Sequence, residues 1–333
     1  MAGVIFQQAV IMLILIAVGA GCFKLRILSK DTVGQLSSLV LKVVNPIVIL
    51  MSFQRDMERA LVENLGWTFL LSVTSYLLGF IAAYMFIRPK EGRDEVIERF
   101  SAIYSNCGFM GIPLVQAMFG YKGVFYLTAF IATFNAFVWS HGVMMMSGQR
   151  SLKSLLKVLR SPAIIAIALG LVMFFTQFTL PSLPENAADW ARFPAWQRFF
   201  MTGGGLLAHA LDMVGSLNTP LAMFVAGATI IQTSAKDVLK KPRIFYICFL
   251  RLIALPVIVM VIFLLFHFES IVEMTVLAAA SAPCAAICTM MALSYKRNAN
   301  YASEIFGVST LLSIITMPVM MVLYERLEAL ITL

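Results

Sequence analysis

A chain of 333 residues that is 60% hydrophobic and only 13% charged, with a mean hydropathy of +0.89, is excluded from the soluble class and reads as a polytopic helical membrane protein. Its formal net charge of +8 has to be placed along the chain before it is assigned to a partner. The five cysteines (22, 107, 248, 284 and 288) lie in apolar stretches without metal-ligand spacing and read as small core residues, so no metal and no cofactor is expected.

A stretch of about 20 apolar residues crosses a bilayer core. Ten such stretches are expected, at 4–22, 36–53, 64–87, 97–118, 123–147, 162–180, 207–231, 243–267, 271–292 and 302–325. The first lacks a basic n-region and a small-residue cleavage site, so it is read as a span and not as a removable signal. Of the 25 Lys+Arg residues, 17 fall in loops that follow odd-numbered spans and 6 on the opposite side, while Lys42 and Arg251 lie within spans. That asymmetry predicts a multi-pass protein of the cell (inner or plasma) membrane with odd-numbered loops in the cytoplasm and both termini outside. The net charge is therefore a topology signal. Contact with acidic phospholipid follows from it, and nucleic-acid binding does not. Between spans 6 and 7, residues 181–205 mix Trp190, Phe193, Trp196, Phe199 and Phe200 with Glu185, Asp189, Arg192 and Arg198. This pattern suits an interfacial amphipathic helix on the outer face, with a substrate-collecting lid as the alternative.

The chain carries a weak internal repeat. Span 2 contains Asn45-Pro46 and span 7 contains Asn218-Thr219-Pro220. Pro46 precedes Gly108 by 62 residues, and Pro220 precedes Pro283 by 63. Glu98 and Glu273, just ahead of spans 4 and 9, keep a register of 175. The repeats expected are 1–147 and 162–333, joined by a cytoplasmic linker at 148–161. Five spans in each make the second repeat enter the membrane inverted, an arrangement characteristic of secondary transporters with broken helices at the midplane.

Both fourth-of-five spans are broken. Span 4 reads SNCGFMGIPL from Ser105 to Leu114, with Gly108, Gly111 and Pro113 weakening the helix, and span 9 reads SAPCAAICTM around Pro283. Freed backbone groups persist at membrane depth only against protein or a water-filled cavity. There the half-helix N-termini offer N–H groups and partial positive charge, and Ser105, Asn106 and Ser281 add neutral partners. Such a place can hold a carboxylate. The competing reading, that glycine and proline only permit close packing, holds for span 4 alone but is weakened by the matching break in span 9.

SNCGFMGIPL, Asn45-Pro46, SAPCAAICTMMALSY and the closing STLLSIITMPVMMVL (309–323) resemble the auxin efflux carrier family of permeases, over essentially the whole chain. That family includes bacterial malonate and malate carriers and plant auxin exporters. The resemblance implies an all-α fold of ten spans in two inverted repeats, akin to bile acid symporters and sodium/proton antiporters. Spans 4 and 9 would cross. Spans 3–5 and 8–10 would form a transport domain, and spans 1, 2, 6 and 7 a scaffold. Asn106, Gly108, Gly111 and Pro113, with Pro283 opposite, carry over by position. The plant exporters' long central loop is absent, which points to a compact prokaryotic permease.

Ionisable groups within spans are functional candidates. Lys42 and Asp212 occupy equivalent elements of the two repeats. They are expected to pair, or Lys42 attracts an anion, or both simply face the membrane surfaces. His141, Arg251 and Glu304 lie roughly 10–14 Å in from the cytoplasmic charges at 1.5 Å per residue. A buried Arg251–Glu304 ion pair is expected. Glu304 or His141 takes a coupled proton, or the trio fastens three helices. No P-loop, HExxH or GxSxG is present, so neither an ATP-driven pump nor an enzyme is indicated.

These observations converge on a secondary carrier of small organic anions such as malonate, malate or auxin-like acids. The carboxylate would lie at the crossover, with Asn45, Pro46, Asn218 and Pro220 on the scaffold side and elevator-type movement between the two domains. The alternatives are a cation-coupled antiporter of the same fold and a ligand-binding membrane sensor. Partners expected are the organic anion, the lipid bilayer, a proton or sodium as coupling ion, and a second copy of the chain in a homodimer.

Overall fold

Several helix starts are written locally. Ser29 accepts from the Thr32 N–H at 3.1 Å and starts a helix at Lys30. Asp94 accepts from the Ile97 N–H at 3.3 Å, with Glu95 and Glu98 in the first turn that follows. Pro162 and Pro242 each open a helix, where a missing N–H costs nothing. In a computed structural model of the chain, residues 2–148, 159–181, 195–232, 238–266 and 268–331 are described.

Twelve helices serve as landmarks, beginning with α1 (Ala2–Lys24), α2 (Lys30–Ser52), α3 (Arg59–Phe86), α4 (Glu95–Ile103) and α5 (Cys107–Ser147). They continue with α6 (Pro162–Phe175), α7 (Ala195–Ser216), α8 (Asn218–Ile230), α9 (Pro242–Phe266) and α10 (Ser270–Ser281), then α11 (Ile287–Ser294) and α12 (Ala299–Ile331). Seven helical stretches are long and apolar enough to cross a membrane. The helix α5 folds back at Gly120, whose φ of 59° and ψ of −152° no helix can continue through. The expected spans 4 and 5 therefore meet at a single residue.

Three π-type turns have one cause. The turns Val40–Val44, Cys107–Gly111 and Leu250–Ala254 each precede a proline, namely Pro46, Pro113 and Pro256. Proline lacks the N–H that would bond four residues back, at Lys42, Phe109 and Leu252, the middle residue of each turn. The helix relieves the orphaned carbonyl and the ring clash by widening one turn. A fourth such turn, Val138–Gly142, carries His141 and has no proline behind it.

Helix packing falls into two groups. In the first, α1 runs along α8, and α2 packs on α6, α7 and α8. In the second, α3, α5, α10 and α12 pack around α4 and α9. Within the second group Glu98, fully buried, accepts from Arg243 at 2.7–3.1 Å and from the Tyr301 hydroxyl at 3.0 Å, joining α4, α9 and α12. Glu98→Ala should cost on the order of 1–3 kcal/mol, because it removes the buried acceptor of a partly exposed guanidinium and of a tyrosine. A drop of several degrees in the melting temperature of the purified protein is the expected result. An unchanged midpoint would show that the network contributes no net stability.

Most of the expected 148–161 linker, the 182–194 part of the aromatic 181–205 segment and His267 fall outside the described residues. The helix α7 already begins at Ala195, so the membrane helix that was expected to start at 207 extends well ahead of it.

Candidate functional site

Two helices stop at the same depth and pair. The first ends at Ile103, and Tyr104 turns extended with a ψ of 118°. The second ends at Ser281, and Ala282 is extended with a ψ of 151°. The unwound stretches run antiparallel as an isolated bridge between Ser105 and Cys284. The Asn106 N–H donates to the Pro283 carbonyl at 2.7 Å, and the Ala285 N–H donates to the Tyr104 carbonyl at 2.9 Å. Each break thus satisfies the other's backbone, which is what unwound chain at membrane depth requires. Beyond the bridge both chains become helical again, at Cys107 and at Ile287.

The restarted ends open on a cavity of about 390 Å³. Cys107 and Gly108 line it from one break, and Ala286 and Ile287 from the other. The N–H groups of a first helical turn have no partner within the helix, so two sets of donors and two positive dipole ends face one space. Ser105, Asn106 and Lys42 line the same cavity, as do Asn135, Trp139 and Ser161. A volume of this size and a mostly apolar wall with a few polar groups are the features of a small-molecule site. A second cavity of about 540 Å³ lies on the other side of α2. Leu41, Lys42, Asn106, Ala286 and Met290 line both, so the two spaces meet at the crossing.

The expected site residues divide. Asn45, Ser105, Asn106 and Gly108 come together at the first cavity, and the Asn45 amide donates to the Gly108 carbonyl at 3.0 Å. The Asn45 Oδ1 is buried without a hydrogen-bond partner. Pro283 contributes its carbonyl to the bridge, Gly111 packs close to the Cα of Ala279, and Pro113 starts the straight part of α5. Pro46, Gly111, Pro113, Ser281 and Pro283 line neither cavity. Asn218 and Pro220 do not line them either. Asn218 is fully buried with neither amide atom partnered, so its polar head faces helix packing.

The ionisable groups are rearranged more strongly. Glu304 holds Lys241 through both oxygens at 2.7 Å, and Arg251 forms no ion pair among the described residues. Asp212 accepts from the Tyr121 hydroxyl, while Lys42 is exposed to the cavities instead of facing Asp212. His141 is bracketed by tyrosines, with Tyr104 Oη at 2.9 Å from Nδ1 and Tyr84 Oη at 3.2 Å from Nε2. The sequence reading missed Asn135, whose Oδ1 accepts from Ser161 at 3.1 Å and whose amide donates to the Ile131 carbonyl at 2.8 Å. The signal was present, since an asparagine inside the apolar run FIATFNAFVW is as costly in lipid as a half-exposed histidine.

Residues 4–153 and 148–321 match the family model described as membrane transport protein. No curated protein matches the chain.

Proposed function

The chain belongs to the membrane transport protein family, the auxin efflux carrier permeases, and from that premise we propose that it is a secondary carrier of small organic anions whose carboxylate binds at the crossing of the two broken helices. One observation carries the reading. Both half-helix N-termini, the Asn106 amide and Lys42 converge on the 390 Å³ cavity, with no carboxylate lining it. This arrangement attracts an anion into a largely apolar space.

Ten crossings in two inverted five-span repeats account for pairs of contacts related by a constant offset. Asp94 pairs with Arg297 at 3.8 Å, and Lys122 pairs with Glu269 at 3.6 Å. From Asp94 to Glu269 is 175 residues, and from Lys122 to Arg297 is also 175. Glu98 and Glu273, again 175 apart, each accept from a tyrosine of α12, Tyr301 and Tyr324. The two ion pairs thus join the repeats reciprocally, whereas Glu273 and Tyr324 bond within the second. The cavities lie between the two packing groups, which suits elevator-type movement of α3–α5 and α9–α12 against α1, α2 and α6–α8. Lys30, Arg160 and Gln232 edge the cavities. These are loops assigned to the cytoplasm, so the conformation is inward-facing with both termini outside.

Uptake of labelled dicarboxylates and indole acids into proteoliposomes, under imposed proton and sodium gradients, tests the carrier. Saturable flux of at least one organic anion is expected. Tight binding without flux under any gradient would favour a sensor. Lys42→Gln should raise the half-saturating concentration about three- to tenfold and flatten its salt dependence, because an exposed cation facing the site acts mainly by screened attraction. Unchanged apparent affinity at low salt would remove Lys42 from the site.

A further inference from the structure

The crossing has a second pole, on which the carbonyls converge. A helix C-terminus carries a partial charge of roughly −0.5, and two of them meet here, amounting to about one negative charge. Arg251 reaches this point from the π-type turn of α9. Its Nε donates to the Ala282 carbonyl at 3.0 Å, and one terminal nitrogen to the Ala280 carbonyl at 2.5 Å. The other terminal nitrogen is shared between the Ala102 and Ile103 carbonyls at 3.2 and 3.3 Å. The four acceptors are the last carbonyls of α4 and the carbonyls that end α10. One guanidinium thus offsets both negative ends at once, and no side-chain anion among the described residues takes part.

In secondary transporters with broken helices, unwound carbonyls and half-helix C-terminal ends are where a coupling cation is held. Here that cage is filled. Arg251 is only 4% exposed, and the void beside it, lined by Tyr76, Ile103 and Ala280, measures about 10 Å³. That is the lower limit for a single water and leaves no room for an ion with ligands of its own. A buried guanidinium persists only when most of its donors are met, and four charge-assisted bonds are available to its five N–H groups.

We propose that Arg251 is a resident cation. It occupies permanently the carbonyl cage in which a cation-coupled carrier would bind its ion, so the crossing is assembled, and works, without sodium. This inference rests on the carrier reading for its flux arm and is independent of it for the stability arm. Arg251 is a positioning residue that keeps the two breaks paired so that their opposite ends face the anion cavity.

Thermal unfolding of the purified protein, read by tryptophan fluorescence, needs no substrate. Equal midpoints for the unaltered protein in choline, potassium, lithium and sodium chloride at one ionic strength are expected. A saturable, sodium-specific rise would overturn the proposal. Arg251→Ala should melt lower and lose at least tenfold in organic-anion flux. Millimolar guanidinium should raise both, while urea, of the same shape but neutral, should not. Equal rescue by both or by neither would overturn it, as would an Arg251→Met protein with unaltered midpoint and flux. If Arg251→Ala yields no folded protein, the sodium titration still decides, and Arg251→Lys should retain most of the stability. Guanidinium-specific recovery of stability in a protein that carries no organic acid would retire the carrier reading and keep the resident cation.

Discussion

Asn106→Ala should raise the half-saturating concentration of the transported organic anion by about 10- to 100-fold without unfolding the protein. The backbone at this position is fixed by bonds that alanine retains. Its N–H donates to the Pro283 carbonyl at 2.7 Å, and its carbonyl accepts from Met110 at 2.9 Å and Phe109 at 3.2 Å. The amide, in contrast, forms no hydrogen bond to a described residue and is placed where the two cavities meet. Its polar atoms are therefore available to a ligand. A hydrogen bond to a charged group is worth about 1.5–3 kcal/mol, and 1.4 kcal/mol is a factor of ten in affinity. Asn106→Asp keeps the shape and adds a negative charge between two half-helix N-termini, so it should bind the anion more weakly still. Unchanged apparent affinity in Asn106→Ala, with flux intact, would move the site away from the crossing.

What could be read ahead of the structure was the part that depends on residue type along one helix. The two breaks were legible because glycine and proline act on their own backbone, and an apolar run lies in each of the seven helical stretches long enough to cross a membrane. The antiparallel pairing of 104–106 with 283–285 was anticipated as a meeting of two breaks. Its bonds were not, since they join main-chain atoms that any residue carries. The same limit explains the mistaken ion pair. Counting residues inward from the cytoplasmic charges gives the depth of Arg251 and Glu304 but not the side of the helix each faces. Glu304 faces Lys241, whereas Arg251 faces four carbonyls, partners that no search for carboxylates can find. Asn218 was misplaced for a related reason. Its Asn-Pro context resembles that of Asn45 along the chain, yet only Asn45 lines the 390 Å³ cavity.

Gly120, where α5 folds back, and Lys296, at the turn between α11 and α12, both have a positive φ, 59° and 54°. Glycine pays no steric cost at positive φ and lysine does. The ion pairs Asp94–Arg297 and Lys122–Glu269 keep the offset of 175 although no residue in one pair matches its counterpart in the other.

Gly19→Ala and Gly227→Ala should each destabilise the protein by about 1–3 kcal/mol or more, and the pair should add little to the larger single effect. The helices α1 and α8 cross so closely that a Cβ on Gly19 would overlap the Phe224 backbone, and one on Gly227 would overlap the Ile16 backbone. Neither obstacle is a flexible side chain, so the helices themselves must part. Close approach of this kind is how membrane helices gain packing energy when lipid already solvates their apolar surface. Gly21 is the internal control. It lies two residues from Gly19 on the same helix, with nothing within 4 Å of a Cβ placed there. Gly21→Ala should therefore be neutral or stabilising by up to about 1 kcal/mol, the ordinary advantage of alanine in a helix. Val225, Ala226 and Thr229 of α8 line the 540 Å³ cavity, so parting α8 from α1 also shifts a wall of that space. Lower melting midpoints in Gly19→Ala and Gly227→Ala, accompanied by reduced maximal flux, are the expected result. Three variants with equal midpoints would mean that the close α1–α8 contact contributes no net stability.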